Sequence, residues 1–208
     1  MRQDNYAIQT QYAKERFLGY DLEALIQKLR LAYDEQYVYT DLFHQRYRIR
    51  RRDADFARLR EGQWVDANSF AEVLTLLDLI CDSRTDRRPA NQWKNLNAFG
   101  RLFHSNLLEG RDPAAEAFAG DLPAFSQACL ALGGVPFPQG DAAYEIPFFD
   151  GLSVVVQLWQ GDEEFPSQLN FLLDANADQY LRYETMHYAR GLLLRLIREQ
   201  LSERKEHP

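Results

Sequence analysis

Residues 132–174 read LGGVPFPQGDAAYEIPFFDGLSVVVQLWQGDEEFPSQLNFLLD, and their pattern decides the fold class. Gly133-Gly134 supplies the left-handed conformation that ends a preceding helix, and Pro136 and Pro138 keep the next few residues extended. Three runs rich in β-branched and aromatic residues follow, at about 142–148, 152–160 and 169–173, separated by turn residues, which predicts an antiparallel meander. The middle run, LSVVVQLWQ, is apolar at consecutive positions and so predicts a central strand covered on both faces.

Just before this block, Asp121 caps a helix carrying Phe125, Ala128, Cys129 and Leu132. Residues 182–201 predict a closing helix with Met186, Leu193, Ile197 and Leu201 in register, its SERKEHP tail fraying. Towards the N-terminus, Ser69-Phe-Ala-Glu72 is a capping box opening a helix with Phe70, Val73, Leu74, Leu77 and Cys81 at helical spacing. Residues 36–43 and 46–52 alternate in the β manner around a His44-Gln45 turn, which predicts a hairpin, with a short strand near 56–59. Residues 4–18 and 21–31 predict two helices separated by Gly19. The stretch from Asp82 to Pro113 has weak periodicity and reads as a loop with one or two short helices. No internal repeat or low-complexity tract occurs. The order of elements gives an α+β fold, in which an antiparallel sheet, made of the N-terminal hairpin and the C-terminal meander, packs against several helices.

With 208 residues, 46% apolar and 13% aromatic, the chain can bury a sizeable core without a metal or disulfide staple, and a single domain spanning 1–208 is expected, with 1–31 as its N-terminal helical segment. A net charge of -7 disfavours nonspecific attraction to nucleic acid or to anionic lipid. The N-terminus lacks a signal-type apolar core and no run approaches the roughly 18 apolar residues of a membrane span, so the expectation is a cytoplasmic protein without membrane contact. Cys81 and Cys129 lie in apolar helical sequence and are expected as buried thiols. They are too few for an iron-sulfur cluster held by four thiolates.

Carboxylates gather at both ends of the meander. Gly161-Asp162-Glu163-Glu164-Phe165-Pro166 joins two strands, with Asp141, Glu145 and Asp174 available if strand ends meet. Such a group has two readings: a site for a hard cation or for proton transfer, or a solvated acidic turn. Asp141, after Gly140, equally suits a backbone cap. Alternation lets only one of Tyr144 and Glu145 share a cleft with Asp141. Trp159 either packs in the core or lines a pocket with its indole N–H free, and Asn170 and Asp174, four apart on one strand, face the same side near it. A second candidate is basic: Arg46, Arg48 and Arg50 alternate onto one sheet face, where they either meet phosphates or an acidic partner, or neutralise nearby carboxylates. No stacking-aromatic pattern is visible beside them, so nucleic acid is not an expected partner. His44, His104, His187 and His207 are too scattered for a metal ligand set, and no P-loop, G-x-S-x-G elbow or dinucleotide fingerprint occurs.

Residues 131–184 resemble a prokaryotic domain of unknown function, numbered 3786. The resemblance rests on Gly133, Gly134, Gly140, Asp141, Glu145, Trp159, the run Gly161 to Pro166, Asn170, Asp174, Tyr180, Leu181 and Glu184, and more loosely on the hairpin from Phe43 to Ile49. The chain departs from the family pattern at Arg182, where a proline is expected, and at Thr185, where an acid is expected. The resemblance brings no reaction, ligand or cofactor. It implies a link to iron-sulfur or corrinoid-related proteins as partners, in an accessory role. From the residues, the leading expectation is a noncatalytic module that engages a small molecule or a protein around Asp141, Trp159, Asp162, Glu163 and Glu164. The alternative is an enzyme using these carboxylates, with Glu145 and Asp174, for a divalent metal or for acid-base chemistry.

Overall fold

The computed structural model describes residues 5–100 and 112–206. The chain is α+β, and its contacts cluster it into two compact units, residues 1–88 with 178–192 and residues 89–177 with 193–208.

The first unit begins with helices α1 (Asn5–Leu18) and α2 (Leu22–Leu29). Asp21 caps α2 by accepting the Ala24 N–H at 3.1 Å, and Leu25, Ile26 and Leu29 form its buried face. A five-stranded antiparallel meander follows: β1 (Ala32–Tyr33), β2 (Tyr37–Leu42), β3 (Gln45–Arg50), β4 (Phe56–Arg60) and β5 (Gln63–Asp66), paired in chain order. The hairpin expected from the sequence is present, but its turn lies one residue earlier. Leu42 pairs with Gln45, so the loop is Phe43-His44, both left-handed with φ 50 and 58. That conformation favours Asn-Gly. The local cost to Phe43 is offset by burial, because its ring is wholly inaccessible. Val38, Leu42, Tyr47, Ile49 and Phe56 give the sheet its buried face.

Helix α3 (Phe70–Leu77) starts at the capping box: Ser69 Oγ accepts the Glu72 N–H and donates to the Glu72 carboxylate at 2.6 Å. Glu72 is buried and also accepts the Tyr47 hydroxyl at 3.2 Å, which ties the helix start to the sheet. The helix widens into a π-helical turn over Asp78–Asp82. Phe70 meets Tyr6 and Tyr188 edge to face, each at 4.8 Å.

The second unit holds β6 (Trp93–Asn95), α4 (Pro113–Ala119), α5 (Leu122–Ala131), β7 (Val135–Pro136), β8 (Ala142–Phe149), β9 (Leu152–Trp159) and β10 (Gln168–Asp174). The predicted meander is β8-β9-β10, and short edge strands extend it to the order β6-β10-β9-β8-β7. The hairpin and the meander thus belong to two separate sheets. Strand β9 is central, and Val154, Val155 and Val156 are all inaccessible, as its unbroken apolar run requires. The β8–β9 turn is Asp150-Gly151 with both residues at positive φ, the two-residue geometry that fits strand twist.

Ile146, Phe148, Val154, Val156, Leu158, Phe171 and Leu173 alternate onto one face, against which α4 and α5 pack. Trp93 in β6 and Phe137 just after β7 come from opposite edges of the sheet and meet edge to face at 6.1 Å, roofing the middle of the other face. The closing helix α6 (Tyr183–Glu206) gives residues up to 192 to the first unit and the remainder to the second. Of its expected register, Met186, Leu193 and Ile197 are buried and Leu201 is half-buried. The short helices expected near 96–108 are represented by a single turn at Leu96–Ala98, and residues 101–108, together with His207, lie outside the described residues.

No helix among the described residues is long and apolar enough to cross a membrane. Both cysteines are unpaired; burial pushes the Cys81 thiol up to about 12 and raises Cys129 as well, so neither is a ready thiolate.

Candidate functional site

The two Gly-Asp turns meet on one rim of the second sheet. Ala142 pairs with Leu158, the Asp141 N–H donates to the Leu158 carbonyl at 3.0 Å, and the Asp141 carboxylate accepts the Gln160 N–H at 2.7 Å. Asp141 therefore clamps the end of β9, combining the backbone-cap role with a place at the rim. The Gln160 side chain reaches the Ala119 carbonyl at 3.0 Å and ties the same rim to the end of α4.

The loop from Gly161 to Ser167 is braced by its own polar groups. Asp162 accepts the N–H groups of Glu164 and Phe165, both at 2.8 Å, and its own N–H donates to the Phe165 carbonyl at 2.9 Å. These amides hold the Asp162 carboxyl below the ordinary carboxylate range, with the Phe165 N–H the larger cause. Ser167 Oγ accepts the Gly161 N–H at 3.0 Å. A Cβ on Gly161 would sit 2.6 Å from the Ser167 nitrogen and 2.7 Å from the Phe165 oxygen, so only glycine fits this crossing. The braced loop holds Glu163, Glu164 and Phe165 out in solvent, with Phe165 63% exposed. Trp159, at the end of β9, is 42% exposed. Core packing does not describe it, because it ends the strand on the face turned away from the helices.

The other candidates share that face but not that end. Ala143, Gln157 and Asn170 pair in a row across three strands, so Asp141, Glu145, Trp159, Asn170 and Asp174 all alternate onto the same side. Glu145 and Asn170 lie at mid-strand and are half-buried. Asp174 lies six residues along β10 from Gln168, the partner of Trp159, which is about 20 Å at the usual strand rise. There it is 1% exposed and accepts the N–H groups of Ala90 at 2.9 Å, Asn91 at 2.6 Å and Asn176 at 2.8 Å, as a buried acid does when it anchors a loop. The candidate carboxylates are thus spread along the sheet, with Asp141 and Asp162 to Glu164 at one end, Glu145 at mid-strand and Asp174 at the other end. Among the described residues no group of three His, Cys, Asp or Glu is placed to hold a metal ion.

On the first sheet, Arg46, Arg48 and Arg50 do share the outer face. Arg46 pairs with Asp41 at 2.9 Å, and Arg50 with Asp53 at 2.8 Å and Asp55 at 3.0 Å, which is the charge-neutralising arrangement. Tyr37, Tyr39 and Trp64 lie on that face as well, so aromatic rings do accompany the arginines, contrary to the sequence reading. Tyr37 and Tyr39 alternate in step with the arginines; Trp64 becomes a neighbour only through the register of β4 and β5.

Sequence reading also missed a charged network in the first unit. Asp78, 2% exposed on the π-helical turn, accepts the Arg182 backbone N–H at 2.8 Å and its Nε at 2.7 Å. Asp82, on the same turn, accepts from Tyr20 at 2.8 Å and Arg16 at 3.1 Å, and burial is opposed there by these partners to leave its carboxyl lowered. The cavity beside them is about 30 Å³, room for one water, so the cluster is a structural lock. Arg182 thus neutralises a buried acid.

The family model described as a domain of unknown function (DUF3786) matches residues 21–196. No curated protein and no solved structure matches the chain.

Proposed function

This chain belongs to the DUF3786 family, whose function is unknown, and on that premise we propose that it is a noncatalytic accessory module that engages a partner protein through the Trp159–Phe165 rim. One observation carries the reading: a loop fixed by Asp162, Gly161 and Ser167 spends its internal hydrogen bonds on holding a phenylalanine in water beside two glutamates. Exposed aromatic side chains on a preorganised backbone suit recognition, because little conformational entropy is lost on binding. The matching partner surface is an apolar pocket ringed by basic residues. Asp141 positions the rim, and Glu163 and Glu164 supply charge that steers association. The metal or acid-base enzyme reading has no support in the separated carboxylates. The two unpaired cysteines and the acidic composition fit a cytoplasmic location.

The test places a photo-crosslinking amino acid at position 165 of the full chain in cells that naturally make it. A discrete adduct should form from position 165, fail to form from position 61 on the first unit, and disappear in a Trp159→Ala, Glu163→Gln, Glu164→Gln variant whose melting curve is unchanged. Equal labelling from both positions, or an adduct indifferent to the triple variant, would end the proposal. We further read residues 1–208 as one folding domain, since α6 supplies buried residues to both units. Calorimetry should then give one transition whose van't Hoff and calorimetric enthalpies agree; two resolved transitions would refute this.

A further inference from the structure

We propose that the outer face of the first sheet is a binding site for a small organic oxyanion, a carboxylate or phosphate carried on a molecule of about nucleotide size, with Arg48 as its anchor. Arg48 differs from its neighbours in β3. Arg46 and Arg50 each hold a carboxylate, whereas Arg48 makes no ion pair or hydrogen bond with a described residue. Its guanidinium carbon lies 4.4 Å from the centroid of Tyr37 and 4.5 Å from that of Trp64. These rings come from β2 and β5, on either side of β3, so they fix the guanidinium and screen it from water.

The Nε atom is buried and has no hydrogen-bond partner among the described residues. A guanidinium held over aromatic rings retains its in-plane N–H groups, which match the two oxygens of a carboxylate or phosphate. Asp34, an acid whose carboxyl feels the Arg48 charge, is engaged by the Tyr39 hydroxyl at 2.6 Å and by two backbone N–H groups.

Tyr37 also lines an open groove of about 400 Å³, within the usual range for small-molecule sites. Arg50, Arg51 and Arg52 line it too. Arg51 is committed to Glu23 at 2.8 Å, while Arg52 is mostly exposed and shares only the second oxygen of Asp53 at 3.3 Å. Arg48 is not itself in the groove lining but lies over the Tyr37 ring that is, so a ligand must reach past Tyr37; Glu35 on the wall opposes a high density of negative charge, which favours one oxyanion at Arg48 and an uncharged body in the groove.

Isothermal titration of the full chain with AMP and with biotin, a monocarboxylate on an uncharged body, at low ionic strength, tests this. Saturable binding of AMP assigns a phosphate and of biotin a carboxylate; in either case Arg48→Lys, which keeps the charge and loses the planar fork, should weaken binding about tenfold or more, and Arg46→Gln should change it less than about twofold. The wild-type chain provides a second measurement that no folding defect can confuse: the sheltered Arg48 Nε–H should exchange slowly enough with water to be observed, and its NMR resonance should shift on addition of the bound probe. Failure of both probes to bind, undiminished binding by Arg48→Lys, or a stationary Nε–H resonance would each overturn the proposal.

Discussion

The loop leading into β10 and the far end of that strand each carry an aspartate that binds backbone N–H groups, and the two act in opposite ways. At one end Asp174 is removed from water and gathers three backbone N–H groups from segments 84, 83 and 2 residues distant. At the other, Asp162 stays in water and gathers two N–H groups from its own loop. The first carboxylate holds distant parts of the chain together; the second shapes a local display. The difference shows that a backbone-binding aspartate becomes important to global stability when its partners are remote in sequence and have no water to replace it.

Asp174→Ala should destabilise the protein by on the order of 3 kcal/mol or more, since it leaves several sheltered donors unsatisfied. The melting temperature should fall by about 6–12 °C, read by chemical and thermal denaturation, and a loss below about 1 kcal/mol would mean that water reaches this end after all. Gly161→Ala should have an intermediate effect, about 1–3 kcal/mol, because its Cβ meets backbone that must move. Hydrogen exchange should confine that damage to the loop and the rim, with the far end of β10 still protected.

The smallest change is expected from Asp162→Ala. Global melting should stay near wild type while the amides of Glu164 and Phe165 lose protection. Acid should act in the same way. The folded carboxyl of Asp162 lies below its unfolded value, so its contribution is fully present above an unfolded value of about 4 and is lost as the pH falls towards the folded one. Amide exchange or ¹⁵N relaxation followed from pH 6 down to 3 should show the loop loosening in that window, and loosening already complete at pH 6 would contradict the assignment.

Much of the fold was legible because local rules sufficed. The caps at Asp21, Ser69 and Asp121 were readable from residue type followed by an apolar face, and all three make their hydrogen bonds. The central position of β9 followed from three consecutive valines. The edge strands β1, β6 and β7 were not legible, being two or three residues long with no alternation to detect. The Phe43-His44 turn was misplaced because tertiary burial of Phe43 overrides the usual preference of a left-handed turn. At the candidate site, the Gly-Asp turns stood out in the sequence, but nothing in their spacing separated Asp162 from Asp174, and the outward Trp159 looked like core.

By itself the sequence determined the helix starts, the strand periodicity and the presence of two acidic turns, since these depend on side chains within a few residues of one another. The tertiary structure alone decided which acids lie together, which face Trp159 takes, and that Tyr37 and Trp64 converge on Arg48. Those outcomes depend on strand register, and register is set by the simultaneous burial of whole faces, a sum over distant residues that no local pattern contains.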